Sequence, residues 1–399
     1  MRGTLFPLAA TLAVQLLVSM AVVTVPVLAP ALARETGLQP GFIGLYIALV
    51  YGAGMAASLA SGAFVKRYGA IRLSQLCLVS CAAGLACLST GAPAMIVASA
   101  ILLGAGYGPV TPASSHVLAK TTPPGMMSLV FSIKQTGVPL GGVLAGAVVP
   151  ALVAWAEWRA AALGVGAACL ATVALAQPLR ALLDADRDVT SRLALRGLAR
   201  PLRYTLGDAS LRRLAVCSFF FASLQLCLIT FLVTHLTLNL DFSLVEAGLM
   251  LSAAQAGGVV ARIVWGAIAD RWGRPMFLLG IVALLMGFAA LATASFNARW
   301  PVAAIALVCA AFGATAIGWN GVYLAQVARL APPGKAGDAT GGSLVFTYAG
   351  ALFGPPAFTF LVAGGAAYAT AFVAAAVPAV ACGFWLLWRE RAGAKGAIG

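Results

Sequence analysis

The sequence predicts an all-α membrane protein with twelve transmembrane helices in two pseudo-symmetric six-helix halves. Three observations carry this expectation. The 399-residue chain is 62% hydrophobic and only 9% charged, whereas a soluble globular chain is about 25% charged. Its apolar runs are long enough to cross a bilayer, which takes about 20 helical residues. Residues of its first half also recur, in order, in the second. The 44 glycines and 20 prolines fall inside the apolar runs, where neighbouring helices can satisfy the backbone groups they free.

In chain order the spans are expected near 5–32, 41–65, 72–90, 94–118, 126–153 and 160–178, then near 213–237, 245–268, 276–296, 300–328, 339–363 and 367–388. The first ends at Ala31-Leu32-Ala33, which looks like a signal-peptidase site. However, the apolar run from Leu5 to Leu32 far exceeds the roughly 7–15 residue core of a signal peptide. It is read as a retained helix. The gap 179–211, rich in arginine and holding Asp184, Asp186, Asp188 and Asp208, reads as a cytoplasmic linker. It separates an N-terminal half, 1–178, from a C-terminal half, 212–399.

The net charge is +14, and its placement says more than its size. Nucleic-acid binding needs a clustered basic surface, but here the basic residues come in short bursts between spans, so no nucleic-acid partner is expected. Twenty of the 25 lie at the termini or in the loops after spans 2, 4, 6, 8 and 10, against Arg34, Arg159 and Arg299 on the other face. The positive-inside rule then puts both termini in the cytoplasm. The expectation is a multi-pass, monomeric protein of a bacterial-type inner (plasma) membrane. The eight cysteines sit mostly in apolar runs and read as small apolar filler; no metal site and no cofactor are expected.

The internal repeat is specific. Gly62, Lys66, Arg67 and Gly69 align with Gly266, Asp270, Arg271 and Gly273 at an offset of 204. Pro123-Pro124-Gly125 matches Pro332-Pro333-Gly334 at 209, Ser128 to Phe131 matches Ser343 to Phe346 at 215, and Gln15 matches Gln225 at 210. A parallel repeat of six helices is a transporter architecture. Gly266, Asp270, Arg271, Gly273 and Arg274, placed after the eighth span, resemble the loop signature of the major facilitator superfamily. The copy after span 2 is degraded, because Lys66 stands where the family has an aspartate. The resemblance implies that the acid and basic residues form a cytoplasmic latch, with Asp270 and Arg274 in that role. Gly62, Arg67 and Gly69 would be its remnant in the first half. The alternative is that the arginines only set topology.

The charge census leaves two cations inside the membrane. Lys134 lies about nine residues past the Pro124-Gly125 turn, and Arg262 eight before Asp270. At 1.5 Å per residue each is roughly 12–14 Å inside the boundary. All 11 acids fall in or beside loops, so the sequence offers these cations no intramembrane carboxylate. A buried charge costs at least about 2.5–3.5 kcal/mol, which an anionic substrate would offset. Arginine offers a two-pronged donor to a carboxylate and lysine a movable point charge. Otherwise Lys134 snorkels to the surface, and Arg262 binds backbone carbonyls at a broken helix, or Asp270.

Gly258, Arg262 and Gly266 are similar to the eighth helix of monocarboxylate and oxalate carriers, where an arginine grips the substrate carboxylate. Gly137 to Gly142 partly resembles a fifth-helix antiporter motif, and Gly354-Pro355-Pro356 sits at its place in span 11; both also read as close-packing glycines. Gln15, Gln225, Gln135, Asn320, Tyr323 and Tyr348 are mid-span polar residues that would line the cavity or bond between helices. His116 is either a proton carrier or an interfacial histidine. The combined expectation is a secondary carrier of a small organic anion, a monocarboxylate, by proton symport or anion exchange. Its partners would be the substrate, protons or a counter-anion, and the lipid bilayer. A drug/proton antiporter and a non-transporting receptor are the competing classes. An enzyme is not expected, for no nucleophile, base and metal set converges.

Overall fold

The computed structural model describes the backbone of residues 2–123, 127–190, 199–331 and 336–396. The Pro124-Gly125 and Pro332-Pro333-Gly334 turns and linker residues 191–198 lie outside them. The chain forms two compact units, Met1–Pro40 with Tyr46–Arg196, and Gly41–Leu45 with Gly197–Gly399.

The first stretch of chain contributes α1 (Arg2–Thr36), α2 (Ile43–Tyr68), α3 (Ala70–Ser89), α4 (Pro93–Tyr107), α5 (Val110–Thr121), α6 (Met127–Gln135), α7 (Gly137–Ala176) and the short α8 (Leu179–Leu183). The second contributes α9 (Ala199–Gly207), α10 (Ala209–Asn239), α11 (Leu244–Trp272), α12 (Pro275–Ala294), α13 (Val302–Ala316), α14 (Asn320–Leu330), α15 (Ala336–Ala363) and α16 (Tyr368–Gly396). Among the described residues there is no strand.

Among the described residues, eleven helical stretches are long and apolar enough to cross a membrane, and the longest of them, Ile133–Ala176, has 44 residues. It is two spans. Ala156 (φ −147°, ψ 20°) and Glu157 (φ 75°, ψ 164°) interrupt the helical backbone, between the fifth and sixth predicted spans. Just past the break, Trp158 Nε1 and Arg159 Nη1 both donate to Glu35 Oε2 at the end of α1, the latter at 2.8 Å. Dividing the stretch there gives the twelve spans expected. Three spans are broken as well: the fourth between α4 and α5, the fifth between α6 and α7, and the tenth between α13 and α14.

Glycines at repeat-related positions let the backbones touch. A Cβ on Gly104 would lie 2.2 Å from the Val50 carbonyl oxygen, and one on Gly313 would lie 1.7 Å from that of Ala254. Likewise, a Cβ on Gly141 would lie 2.3 Å from the Leu16 carbonyl oxygen, and one on Gly354 2.2 Å from Ser223 Oγ. In lipid, where apolar side chains gain nothing by leaving solvent, such close approach is what holds helices together. The glycines of the Gly137–Gly142 segment thus have a packing role. Outward from this core stand Trp155, Phe288, Phe360 and Trp388, each more than 60% exposed, as expected of side chains whose solvent is lipid.

Helix ends are capped locally. Ser243 and Glu246 form a reciprocal capping box at α11, and Asp208 accepts the Ser210 and Leu211 N–H groups at the start of α10, satisfying donors that the first turn leaves open.

Candidate functional site

In the first unit a buried cation is Lys134, the penultimate residue of α6, only 1% exposed. α6 ends at Gln135 and α7 begins at Gly137, so the ammonium sits beside a break in its span. Its Nζ donates to Gln15 Oε1 at 2.9 Å, to Thr111 Oγ1 at 3.3 Å and to Gln135 Oε1 at 3.3 Å. Thr111 also donates to Gln15 Oε1 at 3.1 Å, and Gln15 Nε2 donates to Ser19 Oγ at 3.3 Å. Three spans therefore converge on the ammonium. Thr111 lies one residue inside α5, just past the break of the fourth span. The lysine does not snorkel to the surface: it is covered and held by uncharged oxygens, which lower the cost of burying its charge.

The second unit builds a related cluster. Gln225 Oε1, from α10, accepts from Trp319 Nε1 at 3.1 Å and from Asn320 Nδ2 at 3.3 Å. Trp319 is fully buried and Tyr323 is 2% exposed; the Tyr323 hydroxyl donates to Ser218 Oγ at 3.1 Å, as does Thr347 Oγ1. Tyr348 is half-buried on α15.

Arg262, half-buried on α11, reaches the same region by another route. Its Nε donates to the Ile317 carbonyl at 3.3 Å, and Trp265 Nε1 donates to the Ala314 carbonyl at 2.8 Å. Both acceptors lie beside the α13–α14 break, which releases carbonyls from the helical ladder. This is the backbone bond at a broken helix that the sequence left as an alternative, and Arg262 does not pair with Asp270 in it.

The loop residues after the eighth span have partners within the second unit. Asp270 Oδ1 accepts from Arg329 Nη2 at 2.9 Å, and Arg274 Nη2 lies 3.5 Å from Glu390 Oε2. Asp270 and Arg274 thus each hold an ion-pair partner, and Arg271 is exposed. Gly273 ends α11 in the left-handed region (φ 63°), and Gly69 holds φ 95° before α3. Gly62 and Gly266 have open space around them. Arg67 stacks on the Tyr68 ring at 5.6 Å.

Sequence reasoning missed the partner of the degraded loop. Asp184, fully buried after α8, accepts the Ile71 and Arg72 N–H groups at 2.8 and 2.9 Å. It caps α3 from the linker, and the Asp188 N–H donates to the Lys66 carbonyl at 2.8 Å. Between them Asp186 takes His116 Nε2 at 3.0 Å and pairs with Lys120. His116 is therefore half-exposed in a linker contact, the interfacial role weighed above. Thr111, Ser218 and Thr347 were also missed; the repeat carries a signal for the first, since Thr111 precedes Asn320 by 209 positions.

The comparisons with known proteins agree with this architecture. Residues 11–355 match the family model of the Major Facilitator Superfamily. An uncharacterized MFS-type transporter of Mycobacterium tuberculosis is 28% identical over 286 residues, 69% of this chain and 62% of that one; the match spans about three fifths of the relative's length. The benzoate transport protein of Acinetobacter baylyi is 26% identical over 164 residues, 41% of this chain and 34% of its own. Among solved structures, a bacterial homologue of the human lysosomal transporter Spinster superposes with a TM-score of 0.75 at 14% identity, covering 98% of this chain and 97% of that one. A mutant peptide transporter in complex with sulfate gives 0.75 at 15% identity, over 96% and 94%. Twelve helical spans, a six-helix repeat and a family match across most of the sequence lead to one conclusion: this multi-pass membrane protein belongs to the Major Facilitator Superfamily.

Proposed function

We propose that the protein carries a small organic anion, a monocarboxylate, across the membrane by alternating access, with Lys134 and Arg262 as its anion-binding groups. The observation that carries this reading is the Lys134 ammonium, 1% exposed and gripped by Gln15, Thr111 and Gln135. These contacts hold the ammonium in place inside the unit, and a positioned cation in a low-dielectric setting attracts an anion. Arg262 engages a backbone carbonyl through Nε, a contact that orients a guanidinium group of the kind that recognises carboxylates. Gln15, Gln225, Gln135, Asn320, Tyr323 and Tyr348 shape the remainder. A relative described as a benzoate transport protein is consistent with a carboxylate cargo. The substrate moves with a proton or in exchange for a second anion.

The test is a thermal-shift titration of purified protein, wild type beside Lys134→Ala and Arg262→Ala. The ligands are mono- and dicarboxylates, inorganic anions and lipophilic cations. Saturable stabilisation by monocarboxylates, lost in both variants, supports the reading. Stabilisation by lipophilic cations, or by anions equally in all three proteins, removes the two residues from the site and favours an exporter of lipophilic compounds.

A further inference from the structure

Away from the Lys134 and Arg262 clusters, the arginine-rich end of the second unit holds a cleft of about 560 Å³ lined by Arg213, Arg274, Arg389 and Glu390, with Met276, Leu330 and Leu386 as apolar wall. Four helices meet there: α10 and α12 near their starts, and α14 and α16 in their C-terminal parts. The three guanidinium groups come from positions far apart in the chain, against one carboxylate, so the lining is net positive. Each arginine is oriented. Arg213 donates to the Ala209 carbonyl at 3.2 Å and to Ser210 Oγ at 3.0 Å. Arg274 stacks on the Phe277 ring at 5.0 Å, and Arg389 on the Trp388 ring at 5.1 Å. The first turn of α12 has no side-chain cap, and its open N–H groups add positive potential.

The chemistry of the occupant follows from what adjoins the cleft. Trp388 is 62% exposed, and Phe384 (61%), Val377 (60%) and Val373 (37%) continue from it along α16 at spacings of four, seven and four residues. That spacing is one helix face. A lipid-facing apolar track therefore runs up the helix and ends where Arg389 covers Trp388. A soluble anion would use the arginines and ignore the track; a lipid uses both. We propose that this cleft binds the phosphate headgroup of an anionic phospholipid, with its acyl chains along the Val373–Trp388 face. Basic pockets between helix ends at a membrane surface suit such headgroups, and each arginine contributes about 1 kcal/mol.

The experiment is melting of delipidated, detergent-purified protein titrated with phosphatidylglycerol, phosphatidylcholine or glycerol 3-phosphate. The proteins are wild type, the triple variant Arg213→Gln, Arg274→Gln, Arg389→Gln, and Glu390→Gln. The expected result is saturable stabilisation by phosphatidylglycerol alone, with apparent affinity about a hundredfold weaker in the triple variant. Affinity should be tighter than wild type in Glu390→Gln, a gain that a misfolded variant could not show. Equal stabilisation by phosphatidylglycerol in all three proteins overturns the proposal. So does a response to glycerol 3-phosphate as large as that to the lipid, which would make the cleft a site for a soluble phosphate.

Discussion

The two halves meet the same structural demands with different residues. Gln15 and Gln225 are 210 positions apart, Thr111 and Asn320 are 209 apart, and each glutamine oxygen accepts from its threonine or asparagine partner. The packing glycines Gly104 and Gly313, and Gly141 and Gly354, keep similar offsets of 209 and 213. The counterpart of Lys134 is Ala349 at the offset of 215 that Ser128–Phe131 keeps, or Thr347 at the 213 of Gly141; neither is charged, and Thr347 is a hydroxyl bonded to Ser218. The second half takes its cation from α11 instead. The packing was retained where backbones touch, while the polar centre diverged, because a glycine contact tolerates no side chain and a polar cluster needs only its donors and acceptors balanced.

The loops after the second and eighth spans diverge in the same way, and they provide the largest test. Both Gly69 and Gly273 adopt positive φ, but a Cβ on Gly69 would lie 2.2 Å from Asp184 Cγ, whereas nothing lies within 4 Å of one on Gly273. Gly273→Ala carries only the left-handed backbone cost, about 1 kcal/mol. Gly69→Ala adds the loss of the buried cap and should cost about 3 kcal/mol. Melting curves of the two purified variants compare them directly; equal shifts would mean that Asp184 does not sit on α3 in the folded protein.

Asp184→Ala sharpens the same point. It leaves the Ile71 and Arg72 N–H groups without their acceptor and should cost about 2 kcal/mol. Among the described residues no carboxylate caps the start of α12, which opens with Pro275, so the comparison rests on the first half alone.

Gln15→Leu against Gln225→Leu compares the polar centres. The first removes the shortest bond to a buried ammonium and should cost about 2 kcal/mol, since an unsatisfied charged donor is the expensive kind. The second removes a neutral acceptor from Trp319, whose indole also reaches the Ala316 carbonyl at 3.0 Å, and should cost about 1 kcal/mol. A larger loss from Gln225→Leu would mean that Lys134 draws its support from its remaining partners.

The spans, the repeat and the buried lysine were legible in the sequence because each is a departure from a uniform apolar background. A lysine between Ile133 and Gln135 in an apolar run has few explanations. Thr111, Ser218 and Thr347 were not legible for the opposite reason. Hydroxyls in these helices usually bond their own preceding turn, as Thr11 does to the Pro7 carbonyl and Thr24 to that of Met20; Ser218 does so too, to the Ala215 carbonyl, while accepting across helices, and nothing in the local sequence marks it. The contact of Arg262 with Ile317 depends on a helix break at Ile317–Trp319 that contains no proline. Asp184 reaches α3 across more than a hundred residues, a tertiary fact with no local sign beyond Gly69.

The smallest expected effect concerns the motif residue that the family signature makes most conspicuous. Asp270 is 75% exposed and its partner Arg329 51% exposed, and an ion pair so open to solvent contributes about 0–1 kcal/mol after screening and side-chain ordering. Asp270→Asn should therefore shift melting by no more than about 2 °C, in contrast to the degraded loop, where the fully buried Asp184 dominates. Measured beside uptake in proteoliposomes, the variant separates two roles. Lost uptake with unchanged melting assigns Asp270 to a state of the transport cycle in which its carboxylate is more tightly held. A melting shift as large as that of Asp184→Ala would mean that the pair with Arg329 is shielded from water, and that the two loops are alike in energy despite their different acids.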